Sequence, residues 1–279
     1  MKIAVISDIH ANLPALEAVL DHLDRWQPDH VVVAGDVVNR GPRPMECLAI
    51  VREREKREGW TVLLGNHEEY VLFHTRPDAP RTGPAFEVYR YSYWTYAKLD
   101  AESIAYLRHL ALHTRVTAPD KSLAFITHAS PLGTRDGIYP ETPEEELRRK
   151  VPPAAAVLSV GHTHRPLIRE VAGTLVINAG AVGLPFDRDP RASYAQLTWH
   201  GGRWHTTIVR VPYDRARARQ DFYETGFLEE AGPLAQLILI ELEEARSQLY
   251  QWACRYHDAV LQGHLSMEAS VRRFLEETR

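Results

Sequence analysis

Five times in this 279-residue chain a short apolar run ends on residues that can do chemistry: Ser7-Asp8-Ile9-His10, Gly35-Asp36, Gly65-Asn66-His67-Glu68, Thr127-His128 and Gly161-His162-Thr163-His164. No other feature restricts the fold as much. The first three runs are separated by helical patterns, so that residues 3–6, 14–26, 31–34, 44–57 and 60–64 read strand, helix, strand, helix, strand. That alternation is the signature of βαβ units and a parallel sheet. In open sheets of this kind the carboxyl ends of the strands share one rim, and ligands bind in the crevice outside it. Residues distant in sequence are thereby expected in one place.

Pro14 suits the first turn of a helix, where no backbone N–H is needed, and Asn12 is placed to cap it. A Pro-, Gly- and Arg-rich linker at 76–84 leads into an aromatic-rich stretch, 85–110, read as a helical excursion over the sheet. Its rings (Phe86, Tyr89, Tyr91, Tyr93, Trp94, Tyr96) are expected to serve core and cap packing rather than base stacking. Strands resume at Val116, 123–127 and 157–160. Four more, 167–171, 175–178, 194–198 and 206–211, are joined through Ala172-Gly173 and Gly201-Gly202, turns that favour antiparallel hairpins. Beyond 214 the periodicity is helical, with Leu234, Leu237, Ile238, Leu242, Leu249 and Trp252 spaced for an amphipathic face. The expected organisation is a catalytic domain over 1–213, with a helical cap inserted at about 76–112, and a helical extension over 214–279.

Composition excludes several classes. A chain with 44% hydrophobic and 25% charged residues is globular rather than disordered. Its formal net charge of -4 supplies no broad positive field for non-specific nucleic-acid binding, so any phosphate must be met locally. The N-terminal apolar run meets Asp8 too soon for a signal peptide, and the longest later one, 234–240, is far short of the roughly 20 residues of a membrane span. A cytoplasmic protein without a membrane partner is expected. Cys47 and Cys254 are far apart and are expected to be buried, reduced thiols. Oligomeric state is left open by the residues.

The five clusters contain carboxylates, one carboxamide and imidazoles, and no thiolate. Those donors suit Mn, Fe, Zn or Ni rather than Ca²⁺. Asp8/His10 and His162/His164 are spaced i, i+2, which in an extended segment points both side chains the same way. A carboxylate has two oxygens with which to bridge two cations and offset their repulsion, and Asp36 is assigned that bridge. Any one of the 14 histidines is weak evidence alone; five blocks in order are not. His74, His109, His113, His200, His205 and His257 are read as surface or core residues.

Through these blocks (D-x-H, G-D-x-x-N-R-G, G-N-H-E, a histidine after a strand, G-H-x-H) the chain resembles the calcineurin-like metallophosphoesterase family over roughly residues 1–185. It is similar in particular to bacterial phosphoesterases of the diadenosine-tetraphosphatase-like type, a likeness that reaches Arg210-Val211-Pro212-Tyr213-Asp214. The resemblance implies an α/β fold, a four-layer α-β-β-α sandwich of two mixed sheets flanked by helices. It implies two divalent or trivalent first-row metal ions, Mn and/or Fe, with Zn, Ni or Mg as alternatives. Asp8, His10, Asp36 and His164 are given to the first metal, and Asp36, Asn66, His128 and His162 to the second. His67 follows as general acid or electrostatic partner, in a hydrolysis of a phosphate ester or anhydride by in-line attack of a metal-bridging hydroxide. Arg40, with its planar fork of donors, is expected to bind substrate phosphate. Asn39 stands where protein-phosphatase relatives carry an aspartate that orients the histidine corresponding to His67. Residues 178–183 read N-A-G-A-V-G for the usual N-P-G-S-x-G, and Ala129 follows His128 where a glycine is frequent. The expected partner is a phosphate-containing small molecule, a nucleotide or dinucleoside polyphosphate. A serine/threonine protein phosphatase is the alternative, and a non-catalytic metal-binding scaffold for protein partners, docking through 214–279, is the alternative of another class.

Overall fold

The computed structural model describes residues 1–278. The chain begins with β1 (Lys2–Ile6), α1 (Leu13–Trp26), β2 (His30–Val33), α2 (Pro44–Glu58), β3 (Thr61–Val62) and α3 (Asn66–Phe73). Asn12 caps α1 by accepting the N–H of Ala15 at 3.2 Å. One face of α1, with Ala15, Leu16, Val19, Leu20 and Leu23, is buried in a core that also contains Ala4 and Ile6 of β1. Full burial of each Leu or Val contributes about 1.5–3 kcal/mol. β3 is shorter than the expected 60–64 because the chain turns away from the first sheet there: Leu63 bridges Ala111, and the Leu64 N–H donates to the Ala111 carbonyl at 2.8 Å.

The aromatic stretch forms two helices, α4 (Pro84–Lys98) and α5 (Ala101–Arg108), rather than one continuous excursion. Leu99 is extended, and Asp100 restarts the helix by accepting the N–H of Ser103 at 2.7 Å. Next come β4 (His113–Thr117), β5 (Leu123–Thr127), α6 (Glu144–Lys150), β6 (Ala155–Val160), β7 (Leu167–Val171), β8 (Thr174–Asn178), β9 (Ala192–His200) and β10 (Arg203–Val211). The chain finishes with α7 (Arg215–Glu224), α8 (Phe227–Glu230), α9 (Leu234–Glu244), α10 (Leu249–Leu261) and α11 (Met267–Thr278).

Two five-stranded mixed sheets result, ordered β10-β9-β1-β2-β3 and β4-β5-β6-β8-β7. β1, β2 and β3 run parallel, as do β5, β6 and β8, while the hairpins β7–β8 and β9–β10 are antiparallel. Strand alternation sorts the side chains. Ile3 and Val5 face Ile126, Val157 and Ile177 between the sheets, whereas Ala4 and Ile6 face the helices. The outer face of the second sheet packs Phe125, Leu158 and Val160 against Leu147 of α6 and against Ile138. That fourth layer is thin, since α6 has only seven residues.

α4 does not simply lie over the sheet. Its Val88, Tyr91 and Trp94 share one core with Phe227, Leu234, Ile238 and Trp252, so α4 and the C-terminal helices pack together, while Leu107 of α5 joins the core of α1 and α2. Cys47 is buried, but Cys254 is exposed. Trp252 and Val260 take the inward face of α10, and two residues of helix place Cys254 about 200° around from Trp252. Among the described residues no helix is long and apolar enough to cross a membrane.

Candidate metal centre

The loops after β1, β2, β3, β5 and β6 meet at one rim and bring all seven expected ligands together. In one half, donor atoms of Asp8, His10, Asp36 and His164, all buried, lie within 4.8 Å of one another. In the other, Oδ1 of Asn66 lies 2.9 Å from both Nε2 of His128 and Nδ1 of His162. Oδ2 of Asp36 stands between the halves, 3.6 Å from Nε2 of His10 and 3.4 Å from Nε2 of His128.

The hydrogen bonds behind the rings fix which nitrogen faces inward. Nδ1 donates to the Asn39 carbonyl in His10 (3.2 Å), to the Ala34 carbonyl in His128 (2.8 Å) and to the Leu184 carbonyl in His164 (2.5 Å). A carbonyl only accepts, so in the neutral rings each Nε2 turns a lone pair into the cluster. Burial keeps the His10 and His128 rings below the ordinary imidazole range, and burial followed by the neighbouring His128 takes His162 down to about 3. The Nε2 atoms of His10 and His164 face each other at 3.1 Å.

The carboxylates repeat this pattern. Asp8 engages the His162 N–H through Oδ2 at 2.9 Å, and Asp36 the His67 N–H through Oδ1 at 2.9 Å. The other oxygen of each, Oδ1 of Asp8 and Oδ2 of Asp36, is buried without a hydrogen-bond partner among the described residues. Burial, then the charges of Glu68 and Asp8, push the Asp36 carboxyl well above the usual range. Converging lone pairs and crowded acidic groups are what bound cations stabilise, and N/O donors of this kind fit first-row metals.

The backbone carries the strain. Asp8 (φ 56°), His10 (47°), Asp36 (56°), His162 (66°) and His164 (56°) are all left-handed, a conformation that costs a non-glycine residue roughly 1–2 kcal/mol. The i, i+2 pairs are thus not extended, as expected from spacing; tight turns aim both members inward. Close approach also requires glycine at two positions. A Cβ on Gly65 would lie 2.1 Å from Oδ1 of Asp36, and one on Gly161 would lie 2.4 Å from Oδ2 of Asp8.

Two residues that the sequence reading left without a role hold these turns. The buried Glu68 accepts backbone N–H bonds from Asp36 (2.8 Å), Val37 (2.8 Å), Val38 (3.2 Å) and Gly65 (2.9 Å). Asn178 donates to the Gly161 carbonyl at 2.7 Å and to Oγ1 of Thr163 at 2.9 Å, clamping the His162/His164 loop. Their signals were their positions, last in G-N-H-E and first in N-A-G-A-V-G.

His67 sits beside the cluster, its ring edge-on to His10 at 4.8 Å between centroids. Its Nδ1 is 2.9 Å from Nδ2 of Asn39, whose Oδ1 accepts the Arg40 N–H at 2.9 Å. That backbone donor orients the amide, so Asn39 donates to Nδ1 and the His67 proton resides on Nε2. Burial, then the Arg40 charge, hold the His67 pKa well below the usual value. Arg40 is buried over the Phe186 ring, which stacks on His164 at 4.3 Å. Its guanidinium pairs with Glu241 of α9, a contact the sequence did not disclose. Glu241 in turn accepts the N–H groups of Gln248 (2.8 Å) and Leu249 (2.9 Å). A cleft of about 1030 Å³ leads outward from Asn66, His67 and Arg40, between Tyr70, Tyr89 and Tyr139 and the start of α10.

Two mixed sheets with helices outside and this rim of loops define the α/β metallophosphoesterase fold. Residues 1–202 match the model of the calcineurin-like phosphoesterase superfamily domain. A crystal structure of a metallophosphoesterase from Sphaerobacter thermophilus aligns with a TM-score of 0.69 and 31% identity, covering 88% of this chain and 100% of that one. Phosphodiesterase YfcE of Escherichia coli is 26% identical over 205 residues, 71% of this chain and 87% of its own length. A shorter stretch of 74 residues is 35% identical to the symmetrical bis(5'-nucleosyl)-tetraphosphatase of Stutzerimonas stutzeri, 26% of either chain. The chain belongs to the calcineurin-like phosphoesterase superfamily and is a metal-dependent phosphohydrolase.

Proposed function

We propose that the protein hydrolyses a phosphoanhydride or phosphate ester of a nucleotide, with dinucleoside polyphosphates as the preferred class. The observation that carries this reading is the Asn39–His67 pair. A neutral imidazole with its proton on Nε2 donates a hydrogen bond to a departing oxygen but delivers a full proton reluctantly. A nucleotide leaving group is already a stable anion and departs without one; the alkoxide of a serine or threonine does not. Asn39 thus disfavours the protein-phosphatase alternative. The local similarity to a bis(5'-nucleosyl)-tetraphosphatase supports the same choice, and a nucleotide substrate agrees with the cytoplasmic setting expected from the sequence.

Asp8, His10, Asp36 and His164 are assigned to one metal ion and Asp36, Asn66, His128 and His162 to a second, with Mn and/or Fe as the ions. When bound, they supply Lewis acidity and a nucleophile at neutral pH. The side chains do the rest. Arg40 has a buried Nε without a hydrogen-bond partner among the described residues, and it is assigned to a phosphoryl oxygen. Its charge there requires no reorganisation, because Glu241 and Phe186 already hold it. His67 Nε2–H stabilises the leaving oxygen.

The test is a substrate panel under Mn²⁺: diadenosine tetraphosphate, an aryl phosphodiester, an aryl phosphomonoester and a phosphoserine peptide. The highest kcat/KM is expected for diadenosine tetraphosphate. Preference for the phosphopeptide would overturn the reading.

A further inference from the structure

Arg188 and Ala245 are left-handed (φ 68° and 50°) although neither is glycine, and the Arg188 N–H donates to the Ala245 carbonyl at 3.0 Å. Strained non-glycine residues persist where their surroundings over-determine them, and they gather at functional sites. Here the bond ties the loop after Phe186 to the turn between α9 and α10. Arg188 and Arg246 are thereby neighbours at the mouth of the cleft, both exposed. Neither forms a salt bridge among the described residues, because nearby acids are engaged elsewhere: Asp187 with Arg210 and Glu243 with Arg219. Glu244 accepts a hydrogen bond from Gln248 at 3.0 Å. Tyr250, one turn into the same rim, leaves 70% of its surface in solvent.

The rim is coupled to the metal centre at short range. The Phe186 N–H donates to the His164 carbonyl at 3.0 Å, and Arg188 lies two residues further, at most about 7 Å along the chain. Both arginines line the same cleft as Arg40 and His67.

We propose that Arg188, Arg246 and Tyr250 form a distal subsite for the leaving nucleotide, the guanidiniums binding its phosphate and the Tyr250 ring stacking on its base. The proposal rests on the nucleotide reading above and deepens it: selection for a second phosphoryl group is built jointly by the loop after Phe186 and the turn and helix that follow α9, outside the metal ligands. The experiment compares wild type with Arg188→Ala/Arg246→Ala and with Tyr250→Ala, all surface changes. Under Mn²⁺, KM for diadenosine tetraphosphate is expected to rise about tenfold or more in the double variant, the loss of one charge-assisted contact pair. Kinetics on p-nitrophenyl phosphate should stay within about twofold, since that substrate has no distal phosphate. An unchanged KM for the dinucleotide, or equal losses on both substrates, overturns the subsite. Calorimetry with ADP separates the two readings. If wild type hydrolyses neither the dinucleotide nor the aryl phosphate but the double variant still binds ADP about tenfold more weakly, the activity assignment fails and the subsite stands. Equal ADP affinity in both proteins overturns the subsite whatever the activity.

Discussion

Asn39 donates a side-chain N–H to Nδ1 of His67 across 2.9 Å, and the Arg40 N–H holds the same amide in place from its other end. An aspartate at this position could accept but not donate, so it would require a proton on Nδ1 and, with Nε2–H retained, favour the doubly protonated His67 ring. A one-residue departure from the protein-phosphatase pattern thus sets which nitrogen of His67 carries the proton.

Replacing Asn39 by Asp should therefore move the leaving-group preference. With a carboxylate now stabilising the doubly protonated ring, whose Nε2 proton can be transferred in full, the rate on alkyl phosphates relative to diadenosine tetraphosphate should rise about tenfold or more, within the range of general acid catalysis. Asn39→Leu should instead lower kcat with little change in KM. A leaving-group series of aryl and alkyl phosphates measures both; identical slopes for wild type and Asn39→Asp would contradict the assignment.

Glu68 gathers four backbone donors that have no other acceptor among the described residues. Glu68→Gln leaves one acceptor oxygen and points an NH₂ at N–H groups. A loss of about 2–4 kcal/mol is expected from the buried amides left unsatisfied, together with reduced metal content because Asp36 is no longer held. Urea unfolding and elemental analysis of the same sample test the pair of effects.

Asp36→Asn keeps the shape and the hydrogen bond from His67 but removes the charge shared by both halves of the cluster. Elemental analysis should show less than the two metals per chain proposed for wild type. Chelation of wild type should also lower its thermal midpoint, since a ligand at about 100 times its Kd stabilises the folded state by about 2.7 kcal/mol. A midpoint indifferent to chelator and to added Mn²⁺ would count against a resident metal pair.

Glu241→Ala strands the buried Arg40 charge, and a cost of about 3–5 kcal/mol is expected for breaking a buried pair from one side. Glu241→Gln keeps the bonds to Gln248 and Leu249 within reach and should fold, yet raise KM for every phosphate substrate. A folded Glu241→Gln variant with unchanged KM would show that the pair serves only to dock α9.

His74, buried between α3 and α4 with Nε2 2.7 Å from Oγ of Ser92, is pushed down to about 4 by burial and then by Arg81. A histidine whose folded pKa lies below its unfolded value of 6.5 is protonated first in the unfolded chain. Stability is therefore full above about pH 6.5 and falls as pH drops from there towards 4. His74→Gln should flatten that part of the profile in urea midpoints measured from pH 8 to 4. Parallel profiles for the two proteins would remove His74 as the cause.

That the seven residues proposed as ligands would meet was legible in the sequence because each follows an apolar strand, and a parallel sheet sends such positions to one rim. Their backbone was not. Spacing of i, i+2 fits both an extended segment and a tight left-handed turn, and only the packed loops around Gly65 and Gly161 choose between them. α3 and α6 were missed although Glu68 three residues after Gly65, and the Glu-Glu-Glu to Arg-Arg-Lys gradient over Glu144–Lys150, are helix signals. Both helices are short enough to be hidden inside loops. Glu241 was illegible for another reason: an acid in an apolar repeat reads as a solvent-facing position until its partner, 201 residues earlier, is known.

That sequence separation also orders events in time. Synthesis runs from the N-terminus, so every residue assigned to the metals, the last being His164, is made before α9 exists. A nascent chain can thus collect its metal donors while Arg40 is still unanchored, and the partner that fixes Arg40 arrives only with the final helices. The proposed centre thus has its donors before it has the partner that fixes Arg40.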